Sequence, residues 1–286
     1  MVALVTQPDR VRGRRGSPQP PAAKREAEAL EIPVLQPRSI RTRDFRREVK
    51  QSGAEAGVVV AYGKILGPRL LQSLPLGFIN VHASLLPRWR GASPIQAAIR
   101  AGDARSGVTI MQMDAGLDTG DLLIWEELAL HPRETAGSLH DRLAAAAGDL
   151  LPRALTILET GQSTPLPQAE SPFGPPTTCG VLHKADGQVD WTLGARELDR
   201  HVRAMVPWPG AFTTLREERI LLLEAEPADE GGKTPGEVLQ AQGASLLVAC
   251  GEGSLALRRL QRAGRRPADV REFLRGFPVQ PGELLA

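Results

Sequence analysis

Gly-Phe-Ile-Asn-Val-His-Ala-Ser-Leu-Leu-Pro-Arg-Trp-Arg-Gly, residues 77–91, is the stretch on which the reading of this chain turns. Phe78, Ile79 and Val81 form the apolar end of a strand, bounded by the turn formers Gly77 and Pro87. Side chains alternate between faces along a strand, so Asn80 and His82 share one face where the strand yields to a loop. In an open parallel sheet, that C-terminal edge is where ligands bind. An amide that can donate a hydrogen bond thus stands beside an imidazole that can exchange a proton near neutral pH.

A second apolar run, Val108 to Met113, enters Asp114-Ala115-Gly116-Leu117-Asp118-Thr119-Gly120. Its glycines allow a tight turn that returns a carboxylate toward the first loop. Asp118 lies 36 positions after His82, room for one helix and one strand between neighbouring strand ends. Asn80, His82 and Asp118 together would supply an oxyanion donor, a proton carrier and a group that orients or charges it. Singly, each has a plainer role: a turn-forming Asn, a structural His, an Asx-turn Asp.

Outward from this centre, apolar strands and helices alternate. Short strands are expected at residues 2–5, 33–35 and 57–61. Helices are expected at 22–30, 42–51 (capped by Thr42 or Asp44), 68–73 and from Pro94 to Arg100 behind Ser93. Residues 121–128 extend the pattern as an edge strand. Residues 135–159 read as helix, with Gly148 and Pro152 predicting a break or kink. The expectation is an α/β fold, a doubly wound and mostly parallel Rossmann-like sheet over residues 1–160. Residues 161–182, rich in Pro, Gly, Ser and Thr, read as a linker. Beyond it, short runs near 211–215, 219–225, 235–240, 245–250 and 254–260 predict a small barrel within a second domain, 183–286.

The chain has 286 residues, enough for two cores, with 42% hydrophobic and 24% charged residues, an ordinary globular balance. No apolar run reaches the roughly 18–20 residues needed to span a bilayer, and the first residues lack a signal-peptide pattern. Cys179 and Cys250 are too few for a disulfide framework or a zinc site, so a cytoplasmic, metal-free protein is expected. The net charge of +2 hides two arginine concentrations: Arg10, Arg12, Arg14 and Arg15 in a Gly/Pro-punctuated loop, and Arg258, Arg259, Arg262, Arg265 and Arg266. Such clusters suit phosphate backbones, although a solvated arginine-rich surface would look the same.

Asn80-Val81-His82-Ala83-Ser84-Leu85-Leu86-Pro87 followed by Gly116-Leu117-Asp118-Thr119-Gly120 resembles the signature of the folate-dependent formyltransferases. Val59-Val60-Ala61-Tyr62-Gly63, residues 86–92 and residues 109–114 extend the similarity toward the branch that formylates methionyl-tRNA. The resemblance implies 10-formyltetrahydrofolate as co-substrate, initiator methionyl-tRNA as partner, no metal and a monomer. It implies catalytic roles for Asn80, His82 and Asp118, and folate contacts from Ser84, Leu85, Leu86 and Pro87 and from Tyr62, Gly63, Lys64 and Leu66. It also implies tRNA contacts from Arg10, Arg12, Arg14 and Arg15, and an OB-like C-terminal barrel. Trp191 and Pro207-Trp208-Pro209 match the C-terminal domain more loosely, and a core aromatic and a rigid turn are their plainer roles. Family members generally begin with another strand, turn and helix; a start placed too late, rather than an impaired product, is the expectation. The same Asn-His-Asp core serves 10-formyltetrahydrofolate hydrolysis and formylation of sugar nucleotides or glycinamide ribonucleotide. The arginine loop and barrel favour tRNA over these, and the intact core argues against a non-catalytic RNA-binding module.

Overall fold

The computed structural model describes residues 1–286 apart from 12–15, 163 and 233. Around the quoted stretch runs a four-stranded sheet in the order Gly57–Val60, Phe78–His82, Arg105–Gln112, Leu122–Ala129. Its first ladder is parallel, with Val59 opposite Asn80. The next two are antiparallel, with Asn80 opposite Met111 and His82 opposite Thr109. This corrects the expected mostly parallel, doubly wound sheet: the sheet is mixed. The connection over residues 113–121 is shorter than the dozen or more residues of a parallel crossover, so Leu122–Ala129 can only return antiparallel. A separate parallel pair joins Leu4–Val5 to Val34–Leu35, and the edge strand Gly57–Val60 leaves Val58 and Val60 exposed.

Local chemistry accounts for the helix ends. Thr42 accepts from the Phe45 amide and opens Arg43–Gln51. Pro94 starts Pro94–Ala101; Ser93 sits at the capping position without a side-chain bond, and Gly102 closes the helix in the left-handed region at φ 74°. Ala136–Thr160 is capped by a reciprocal Thr135–Ser138 pair and ends at Gly161. Of the expected break or kink there is no break: one helix runs through Gly148 and Pro152. Leu139, Leu143, Ala146, Leu150 and Ala154 form a continuous buried stripe along it, and that burial outweighs the one backbone bond Pro152 removes. Gly148 is exposed, and a methyl group placed on it would meet nothing within 4 Å. Gly148→Ala is therefore expected to raise folding stability by about 0.5–1 kcal/mol, read as a higher urea midpoint at unchanged slope.

In the C-terminal half, Ala195–Met205 leads into an antiparallel sheet ordered Ala211–Leu215, Glu218–Ala228, Ser254–Arg262, Ser245–Ala249, Val238–Gln242. The last residues of the chain bond to both of its edges. Ala286 exchanges two backbone bonds with Thr214, and Leu285 N–H donates to Gly236 C=O at 2.9 Å. Trp191 is buried and donates through Nε1 to Thr213 Oγ1 at 3.0 Å, whereas Trp208 is half exposed. The halves share one core, with Ile79, Ile99 and Leu139 in the same buried cluster as Leu198 and Val202. Arg133 and Arg203 reinforce the seam by converging on Asp199, while Arg203 also reaches the Glu134 carbonyl. No helix among the described residues is long and apolar enough to cross a membrane.

Candidate active site

Asn80, His82 and Asp118 come together, the first two on one face of Phe78–His82 as strand alternation requires. Asp118 reaches them because its turn is forced. Its own φ is +53°, unusual for a residue with a Cβ. At Gly120 any side chain would strike the Gln112 carbonyl oxygen. Asp114 braces the turn by accepting from Thr119 Oγ1 and the Gly116 amide. The Asp118 carboxylate then accepts from Asn80 Nδ2 at 3.4 Å and from the Gly91 amide at 2.8 Å, and lies 3.7 Å from His82 Nδ1.

His82 is only 5% exposed. Its Nε2 lies 2.9 Å from the Trp89 carbonyl oxygen. A carbonyl only accepts, so Nε2 carries the hydrogen and the neutral ring presents the lone pair of Nδ1 toward Asp118. Burial lowers the His82 pKa below its usual value, opposed by the Asp118 charge and the Trp89 bond. The imidazole is neutral at physiological pH and gains a carboxylate partner when it takes a proton. Trp89 is itself anchored. Its indole N–H donates to Asp103 at 2.8 Å, Arg88 grips the same carboxylate with two bonds, and the Arg88 guanidinium stacks 4.4 Å from the indole.

Two profiles match the chain: one described as formyl transferase over residues 1–155, and one described as formyl transferase, C-terminal domain, over 181–278. The methionyl-tRNA formyltransferase of Parvibaculum lavamentivorans is 45% identical over 290 residues, covering 100% of this chain and 92% of that protein. The chain belongs to the methionyl-tRNA formyltransferase family. Among solved structures, methionyl-tRNA formyltransferase from Clostridium thermocellum superposes with a TM-score of 0.54 at 19% identity, over 71% of this chain and 86% of its own. HypX from Aquifex aeolicus, in complex with tetrahydrofolic acid, gives 0.62 at 17% identity, over 91% of this chain and 47% of its own, a likeness of fold.

Within this formyltransferase, the remaining predicted positions fall unevenly. Ser84, Leu85, Leu86 and Pro87 are all buried. Ser84 donates through its hydroxyl to the Arg88 carbonyl, and its own carbonyl accepts from Thr109 Oγ1 at 2.7 Å, while Leu86 packs with Met111 and Leu122. Their side chains are spent on shaping the loop. Leu66 likewise sits in a core with Phe45 and Leu70. The Tyr62 carbonyl accepts from Gln7 Nε2 at 2.8 Å, its hydroxyl is buried without a partner among the described residues, and Lys64 Nζ donates to the Pro37 carbonyl at 3.1 Å. Gly63 is exposed.

Arg10 is exposed on a two-residue ladder in which Arg10 and Val11 face Gln19 and Pro18, within the stretch read as a Gly/Pro-punctuated loop. Arg12, Arg14 and Arg15 lie outside the described residues. In the second arginine cluster, Arg258 pairs with Glu226 and Arg262 with Glu218, while Arg259, Arg265 and Arg266 are exposed. Sequence reasoning missed the contributions of the Trp89 carbonyl and the Gly91 amide, which no side-chain motif announces. Glycine at 91 is itself a signal: its φ is +118°, and a Cβ there would collide with the Cys179 carbonyl.

Proposed function

We propose that Asn80, His82 and Asp118 carry the transfer of the formyl group of 10-formyltetrahydrofolate to the α-amine of methionyl-tRNA, for translation initiation. The observation that carries this reading is the convergence on the Asp118 carboxylate of the Asn80 amide, the His82 ring and the Gly91 amide. The amine attacks the formyl carbon, forming a C–N bond and a tetrahedral intermediate whose oxygen bears negative charge. Asn80 spends at most one N–H on Asp118, at a long 3.4 Å, and offers the other to that oxygen. Nδ1 of His82 accepts the proton the attacking amine sheds, and the Asp118 carboxylate stabilises the resulting imidazolium. The proton then passes to N10 of the folate as its bond to the formyl carbon breaks. The position of Asp118 favours its charging His82 over its acting through water on the amine, because the Gly91 amide already holds Oδ2 against the ring.

The folate lies against the backbone of residues 62–65 and of the buried 84–87 loop. Arg10, which is exposed, and Arg12, Arg14 and Arg15 contact tRNA phosphates. The C-terminal sheet forms an OB-like barrel for nucleic acid, a reading supported by the bonds of Leu285 and Ala286 to its two edges. The catalytic domain spans 1–160, and 183–286 the barrel domain.

The test is formyl transfer from 10-formyltetrahydrofolate by the purified chain, with charged initiator tRNA, a sugar nucleotide amine, glycinamide ribonucleotide or water as acceptor. Turnover is expected with the charged tRNA alone; preferred use of any other acceptor contradicts the assignment.

A further inference from the structure

We propose that Gln168 is a positioning residue of the formyl-transfer site, delivered by a segment whose composition reads as a tether. The proposal rests on the roles given above to Asn80, His82 and Asp118. Leu166 enters by exchanging two 2.8 Å backbone bonds with Leu122, which places the single turn Gln168–Glu170 under the catalytic loops. Gln168 is 6% exposed. Its Nε2 donates to the Asp118 carbonyl at 2.9 Å and the Gly120 carbonyl at 2.8 Å. Its Oε1 accepts from Arg90 Nε at 2.9 Å and Arg90 Nη2 at 2.6 Å.

One amide thus joins the two loops that make the site. Through Asp118 O and Gly120 O it holds the turn in which Asp118 adopts its left-handed conformation. Through Arg90 it holds the loop whose Trp89 carbonyl fixes His82 and whose Gly91 amide fixes Asp118. Few side chains fit. Glutamate would set an anion against two carbonyl oxygens, lysine or arginine could not accept from Arg90, and asparagine is one methylene short. A left-handed non-glycine residue is strained and persists only where its surroundings over-determine it, which these bonds do. Ser171 Oγ, bonded to the Leu86 carbonyl at 2.8 Å, and Thr177, bonded to Trp89 N–H through Oγ1 at 2.9 Å, continue the same strap along the opposite wall without touching the Asp118 turn.

The experiment uses the full chain with Gln168→Met, a neutral substitution of similar length without donor or strong acceptor, beside His82→Ala. Thermal midpoint, KM for each substrate and the pH dependence of kcat are measured. Gln168→Met is expected to remain folded, to change each KM by about twofold or less and to lower kcat by about 100-fold, the cost of a misplacement near 1 Å. Its acid limb is expected to move to lower pH, because a displaced Asp118 no longer opposes the burial that lowers the His82 pKa. Among the described residues, the groups that act on His82 are the Asp118 carboxylate and the Trp89 carbonyl, so Asp118 is the anion that can produce this shift.

An unchanged kcat, or a lowered kcat with an unmoved acid limb, overturns the proposal. If Gln168→Met does not fold, Gln168→Asn, which keeps the amide, carries the same prediction with a smaller loss. Failure of both to fold makes Gln168 a structural residue and also overturns it. If His82→Ala retains both rate and acid limb, the site reading itself has failed. If only His82→Ala is impaired, the failure is confined to Gln168.

Discussion

Asn80→Ala is expected to lower kcat for formyl transfer by about 100–1000-fold while leaving KM for both substrates within a few-fold, the signature of a donor used only in the transition state. The geometry supports this division. Asn80 is partly buried on the strand face beside His82, and its bond to Asp118 at 3.4 Å is too long to be its main purpose. Asn80→Asp sharpens the test, because it places a second carboxylate beside Asp118 and converts the donor into a repulsive charge. It should be at least as damaging as Asn80→Ala, although nearly isosteric. Loss of folate binding in Asn80→Ala, rather than of turnover, would assign the residue to ground-state recognition.

His82→Ala is expected to lower kcat by about 100–10,000-fold, the range of a lost general base or acid. The loss should be steepest near neutral pH, where the native ring is neutral and the variant must rely on water. His82 is also a packed side chain that bonds the Trp89 carbonyl, so part of any effect could come from loop disorder. His82→Gln separates the two contributions. A glutamine side chain can donate to the Trp89 carbonyl but cannot carry the proton, so it should restore thermal stability without restoring rate. Recovery of activity with glutamine would show that His82 serves as a spacer.

The site's centre was legible in the sequence because it obeys local rules. Period-two alternation alone sets Asn80 beside His82, and the glycines flanking Asp118 announce a turn that only small or left-handed residues can make. Strand direction was less legible, since an apolar run has no arrow. The short connection at 113–121 carried that information for Leu122–Ala129 alone. The 22 residues between Phe78–His82 and Arg105–Gln112 are long enough for either direction, so no local signal announced their antiparallel pairing. Pro152 signals a break that the buried stripe from Leu139 to Ala154 overrides, a tertiary effect beyond any local window. Gln168 was hidden for a different reason. The proline, glycine and serine around it describe a tether, and its bonds span 48 and 50 positions to the Asp118 turn, set by the Leu122–Leu166 pairing.

The pH dependence of single-turnover formyl transfer to charged initiator tRNA tests the central claim most directly, because it reads the proton acceptor rather than binding or release. With His82 buried and neutral, presenting Nδ1 to the reaction, the rate is predicted to reach half its maximum below pH 6.5, the ordinary histidine value, and that acid limb is predicted to vanish in His82→Gln. A limb at or above pH 6.5, or one that survives the substitution unchanged, would contradict the account.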